Sequence, residues 1–242
     1  MIQVGFKSNK GVKRINNEDA YFIVPSEQVY IVADGVGGNK GGEIASRTAV
    51  ACIAAYIREN PLKEIRKESE LKEYFIACME LANKQVYTFA HKHPENLGMA
   101  TTALIAYVAE DAAYIVNVGD SRAYICRNGT LSCVTVDHTY VNTLVQQGVI
   151  TEEEARSHPQ KNMITRAVGG DAVIEPDFFR IDIDSGDVLL LCTDGLYSEV
   201  CEETITEILT GPGTMQEIAN ALVDKANRSG GRDNITLVCL KI

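Results

Sequence analysis

Residues 100–136, "ATTALIAYVAEDAAYIVNVGDSRAYICRNGTLSCVTV", decide the fold class. Four short runs rich in β-branched and aromatic residues, "ATTALIAYVA", "AAYIVNV", "RAYICRN" and "LSCVTV", follow one another with only a few turn residues between them. The Asn128-Gly129 pair is a strong signal for a tight hairpin. These gaps leave no room for a crossover helix, so the centre of the chain reads as antiparallel sheet.

Upstream, "IQVGFKS" and "DAYFIVPSEQVYIVAD" have strand composition, broken at Pro25–Ser26. Apolar residues then recur at helical spacing from Gly42 to Asn60, ending before Pro61, and again from about Leu71 to His91. Downstream, residues 138–170 change character. A short helical stretch "YVNTLVQQG" precedes "TEEEARSHP", where Thr151 and Glu154 form a capping-box pattern. "RIDIDSGDVLLLCTDGL" returns to strand, helical patterns occupy 197–210 and 215–228, and "ITLVCLKI" closes as a strand. Strands beside strands and helices in pairs, without βαβ alternation, predict an α+β fold of antiparallel sheets. The helix pairs are expected on opposite outer faces of stacked sheets.

The chain has 242 residues, 45% hydrophobic and 23% charged, which suits one domain with a sizeable core. A net charge of −10 repels phosphate backbones and anionic lipid, which argues against nucleic acid as a partner. No apolar run is long enough to span a bilayer, and the N-terminus lacks the apolar segment of a signal peptide, so a cytoplasmic location is expected. The seven cysteines include no C-x-x-C pair, and most lie in apolar runs such as "LLLCTDG" and "TLVCLKI". They read as small buried hydrophobes in a reducing compartment. The four histidines are scattered and show no metal-ligand spacing with cysteine.

Carboxylates stand at strand ends four times. "VYIVADGVGG" places Asp34 after an apolar run, "YIVNVGDSR" does so with Asp120 and "VLLLCTDGL" with Asp194, while "GGRDNITLV" places Asp233 before one. "NNEDAYFIV" adds Glu18 and Asp19. A carboxylate beside apolar strand is costly unless its charge is compensated, and hard oxygen ligands without histidine or cysteine point to Mg²⁺ or Mn²⁺. Any single Asp-Gly is ordinarily a turn, but four recurrences favour a shared cation site. "GGNKGG" lacks the G-K-[ST] ending of a phosphate loop, so its glycines are assigned to the turn and the helix entry.

In order, "RINNEDA", "VADGVGGNKGGEIAS", "GMATTAL", "NVGDSRAY", "DHTYVNTLVQQGVITEEEA", "ITRAVGG", "LLLCTDGL" and "GGRDNITLV" resemble the motifs of the metal-dependent Ser/Thr protein phosphatases of type 2C, above all their compact bacterial members. The resemblance covers residues 1–242. It implies a four-layer α-β-β-α sandwich and two core Mn²⁺ or Mg²⁺ ions, with Asp34 bridging both. Glu18 and the Gly35 carbonyl would serve one ion, and Asp194 and Asp233 the other. Asp120 with Asp194 resembles the pair for a third, weaker ion, although Asp120 also reads as a turn residue. Arg14 corresponds to the arginine that grips the substrate phosphate.

Hydrolysis would then proceed by a metal-activated water without a phosphoenzyme, which fits the lack of any Ser/His/Asp or Cys-x5-Arg arrangement. Where animal relatives often carry a histidine after the Asp-Gly, this chain has Val36, so no leaving-group acid is assigned. Residues 138–165 match the family's flap. The expected activity is a monomeric phosphoserine/phosphothreonine phosphatase opposing a eukaryotic-like Ser/Thr kinase. The alternatives are a phosphatase dedicated to one regulatory protein, of the anti-sigma-factor antagonist type, or an inactive phosphoprotein-binding relative.

Overall fold

The computed structural model describes residues 2–36, 41–65 and 67–242. The strand signals become two five-stranded antiparallel sheets. One takes the order β1 (Gln3–Asn9), β12 (Ile235–Lys241), β11 (Val188–Cys192), β8 (Arg122–Arg127), β9 (Thr130–Cys133). The other runs β10 (Asp177–Asp182), β7 (Ala112–Val118), β6 (Ala103–Val108), β3 (Val29–Ala33), β2 (Ala20–Val24). A two-stranded ribbon pairs β4 (Gly35–Val36) with β5 (Ala100–Thr101).

The period-two alternation of strand side chains builds the layers. All five residues of β3 are buried, because Ile31 and Ala33 face helices while Tyr30 and Val32 face the opposite sheet. Between the sheets lie Leu104, Ile115, Leu189, Leu191, Val238 and Leu240. Burying each such large side chain stabilises the fold by about 1.5–3 kcal/mol. α1 (Gly42–Glu59) and α2 (Glu68–Lys92) cover the β3 sheet through Ala49, Ile53, Phe75 and Met79. α6 (Glu202–Leu209) and α7 (Met215–Ser229) cover the other sheet. In α7 the buried Met215, Ile218, Ala219, Leu222, Val223 and Ala226 recur at helical spacing. The result is the expected four-layer α-β-β-α sandwich.

Several boundaries shift for identifiable reasons. The first strand candidate of 100–136 splits at Thr102, whose backbone N–H donates to the Asp34 carbonyl instead of continuing one ladder. The helical pattern at 197–210 divides into α5 (Asp194–Tyr197) and α6, and "LSCVTV" forms strand only as far as Cys133. The hairpin holds: Asn128 and Gly129 both have positive φ, 50° and 78°, as a two-residue turn of the right hand requires. α3 (Tyr140–Gln146) and α4 (Glu152–Ser157) lie within 138–165, and Thr151 and Glu154 form the expected capping box. The cysteine reading needs correction, since Cys133 and Cys201 are exposed and Cys52 is half-buried; Cys78, Cys126, Cys192 and Cys239 are buried. Of "GGNKGG", residues 37–40 lie outside the described residues. Among the described residues, no helix is long and apolar enough to cross a membrane.

Candidate metal centre

Antiparallel register carries the carboxylates to one end of the sandwich. β2 starts where β3 ends, with Ala20 opposite Ala33, so Glu18 and Asp19 arrive beside Asp34. β12 starts where β11 ends, which sets Asp233 near Asp194. Asp120 follows β7 at the same end and presses electrostatically on Asp34.

Buried threonines fix Asp34. Its backbone N–H donates to Thr102 Oγ1 (2.8 Å), and its carbonyl accepts from Thr101 Oγ1 (2.8 Å) and from the Thr102 N–H (2.8 Å). The Thr102 hydroxyl meets Ser121 Oγ at 2.7 Å, joining this strand end to the turn that carries Asp120. Asp19 is buried; its Oδ2 accepts from Thr193 Oγ1 (2.9 Å), the nearby Thr236 hydroxyl helps hold down its proton affinity, and its Oδ1 has no hydrogen-bond partner. Asp194 opens α5, and its Oδ1 is likewise buried without a partner.

The charges crowd one another. Burial, then Asp19, Asp194, Asp120 and Asp233, push the Asp34 carboxyl well above the ordinary carboxylate range. Burial raises Asp19 and Asp120 to about 7, and Asp194 follows to about 6 through burial and Asp233. Asp34 and Asp194 are only half-buried as whole residues, yet their carboxyls stand close enough for each to move the other's proton affinity. Glu18 is raised mainly by burial.

Two arginines stand at this end: Arg122, tied to Asp137, acts on Asp120, and Arg14, half exposed, is paired with Asp233. Its Nη2 lies 2.7 Å from Asp233 Oδ2. The other oxygen of Asp233 accepts the Asn234 N–H at 2.8 Å. Among the described residues, no three acidic, histidine or cysteine side chains surround a single point as the ligands of one ion. The donor chemistry nonetheless fits hard divalent cations. Carboxylates with raised proton affinity crowd together, and two buried oxygens lack partners. Gly42 adds a third sign. A Cβ there would strike both Glu18 Oε2 and the Gly35 carbonyl oxygen, so these two donors converge on a space only glycine leaves open.

Arg14, Glu18, Asp34, Gly35, Asp120, Asp194 and Asp233, singled out in the sequence, thus lie around one end. Asp120 is almost fully buried, and its backbone carbonyl accepts from the Tyr197 hydroxyl (2.8 Å). It is therefore more than an exposed turn residue. Sequence reasoning gave no separate role to Asp19, whose buried oxygens belong to the same cluster, nor to Asn234, Thr101 and Thr102. The apolar run after "NNED" was the one available signal for Asp19.

A cavity of about 640 Å³ opens from Asp120 and Asp194 and runs between α3, α4 and α6, past Val141, Ala155 and Glu202.

The family described as protein phosphatase 2C matches residues 10–227. The chain is 35% identical over 239 residues to the serine/threonine phosphatase stp of Listeria monocytogenes, covering 98% of this chain and 94% of that protein. It superposes on the structure of the S. agalactiae serine/threonine phosphatase with a TM-score of 0.93 at 33% identity, covering both chains fully. The catalytic domain of the phosphatase PstP, solved in complex with 2 manganese ions, gives a TM-score of 0.85 at 34% identity, over 99% of this chain and 97% of that one.

Proposed function

Since this chain belongs to the protein phosphatase 2C family and is a protein phosphatase, we propose that it removes phosphate from phosphoserine and phosphothreonine with two Mn²⁺ or Mg²⁺ ions. The observation that carries this reading is the cluster of Glu18, Asp19, Asp34, Asp194 and Asp233 at one end of the sandwich, with unpartnered buried oxygens and an arginine at its edge.

Asp34 would bridge the ions, Glu18 and the Gly35 carbonyl would hold one, Asp194 and Asp233 the other, and Asp120 with Asp194 a third, weaker one. Ions of this kind supply Lewis acidity towards phosphate and a more acidic attacking water. Ions held there would displace the protons that burial and crowding keep on carboxyls such as Asp34 and Asp194. Arg14 exchanges Asp233 for the non-bridging phosphate oxygens, which its planar fork matches. Thr101 and Thr102 keep Asp34 from recoiling, and the Thr193 and Thr236 hydroxyls orient Asp19. No side-chain nucleophile is required.

Residues 1–242 act in this reading as one catalytic domain, with residues 138–165 as a flap beside the 640 Å³ cavity. The substrates are phosphoproteins of a eukaryotic-like Ser/Thr kinase, and the phosphatase works as a monomer. The test is turnover of a phosphothreonine peptide across a Mn²⁺ and Mg²⁺ series, with a phosphotyrosine peptide as comparison. Metal-dependent turnover with preference for phosphothreonine is expected; activity that survives full chelation overturns the reading.

A further inference from the structure

The loop that carries Arg14 is closed by one side chain with no charge of its own. Asn234 is 4% exposed and sits between Asp233 and β12. Its Nδ2 donates to two main-chain carbonyls, Lys10 at 2.9 Å and Asn16 at 2.8 Å. Its Oδ1 accepts the Glu18 N–H at 2.7 Å. Both amide hydrogens and the carbonyl oxygen are thus engaged, and the bonds span more than 200 positions of sequence.

We propose that Asn234 is a positioning residue for phosphate recognition: it clips residues 10 and 16 together and so sets where Arg14 stands relative to Glu18 and Asp233. The inference rests on the phosphatase reading above. The Val12 and Lys13 N–H groups donate to the Gly231 carbonyl (2.8 and 3.0 Å), and the Gly11 N–H donates to Asn9 Oδ1 (2.9 Å). On the Asn16 side the neighbouring Asn17 Nδ2 donates to Ser8 Oγ (2.8 Å), while Asn234 bonds the main chain at both ends of the loop at once. When Arg14 leaves Asp233 for a phosphate, a clipped loop confines the change to the side chain, so little backbone ordering opposes binding.

Few residue types fit the place. Aspartate keeps an oxygen for the Glu18 N–H but sets a second oxygen against two carbonyls. Serine offers one hydrogen where two are used. Asn234→Asp therefore tests the loop arm while retaining the Glu18 arm, and Asn234→Ser serves as the second variant.

The experiment is a double-mutant cycle with Arg14→Ala. It measures kcat and KM on a phosphothreonine peptide at saturating Mn²⁺, the inhibition constant of inorganic phosphate, and Mn²⁺ affinity by calorimetry. For Asn234→Asp, Mn²⁺ affinity should stay within about threefold of wild type. The KM and the phosphate inhibition constant should each rise about tenfold, the scale of one charge-assisted contact. In the Arg14→Ala background the same change should add less than about threefold, because its effect passes through the arginine.

Full additivity, or an unchanged KM with Arg14→Ala itself impaired, overturns the inference and leaves the phosphatase reading intact. A wild-type protein without metal-dependent turnover, or a normal Arg14→Ala, overturns both. If thermal melts show both Asn234 variants unfolded, Asn234 belongs to folding alone and the proposal fails.

Discussion

Val29–Ala33 and the residue that follows them, Asp34, are neighbours in sequence and opposites in energy. The five strand residues are buried and paired with β2, and Val29 to Val32 are paired with β6 as well. Asp34 is held by threonines through its backbone, while its carboxyl group is driven far from its ordinary proton affinity by burial and by four other aspartates. The interior is a region where every local preference agrees. The end of the sandwich is a region of mutual repulsion, tolerable only because the interior beneath it is stable. Such repulsion is what a cation relieves.

The largest expected effect separates the two regions directly. Asp34→Asn should lower turnover by at least about 10²–10³-fold, the scale for losing one electrostatic group at a reacting centre. It should also abolish most of the rise in Tm that saturating Mn²⁺ gives the wild type. A variant with normal turnover would remove Asp34 from the centre. The converse change is Leu104→Ala, which opens a cavity between the sheets. It should cost about 2–5 kcal/mol of stability in chemical unfolding while Mn²⁺ still binds the folded protein. Loss of Mn²⁺ binding by folded Leu104→Ala would show that the two regions are not separable.

Asp120→Asn is a smaller step. It should keep the two tightly bound ions yet lose most turnover on phosphopeptides, with only partial recovery in extra Mn²⁺. Metal counting beside kinetics on the same protein decides it, since full activity would make Asp120 purely structural.

The smallest effect is a dependence of stability on pH. Asp19 and Asp120 titrate near 7 and Asp194 near 6 in the folded protein, all above the free value of 3.8. Between about 4 and 7 the native state therefore binds more protons than the unfolded one, and stability falls as pH rises through that window. His138 opposes this, because burial holds it below its ordinary value, but Asp34 and Glu18 are raised as well and add to the other three. The Tm of chelator-treated protein should fall from the acid to the neutral side, and saturating Mn²⁺ should flatten or reverse the slope. A Tm that rises with pH in chelator would contradict the crowding.

What could be read in the sequence follows the same division. Strand and helix periodicity gave the layers because residues such as Ile31 and Leu222 take their partners from whole faces, and a face leaves a pattern. Asp34, Asp120, Asp194 and Asp233 stood out because each interrupts such a pattern. Thr102 and Asn234 left no local trace. Each acts through one or a few hydrogen bonds to residues 19 to 224 positions away, and nothing in the neighbouring letters marks that distance. The exposure of Cys133 and Cys201 was hidden similarly, since it depends on where a strand and a helix end.

On this reading the repelling carboxylates at the end of the sandwich are a site for divalent cations. Calorimetric titration of Mn²⁺ into chelator-treated wild-type protein tests it most directly, run near pH 6 in two buffers of different ionisation enthalpy. The account predicts at least two bound ions and a buffer-dependent heat, because protons held by Asp19, Asp194 and their neighbours are displaced as the metal enters. Fewer than two ions, or binding whose heat is the same in both buffers, would contradict it.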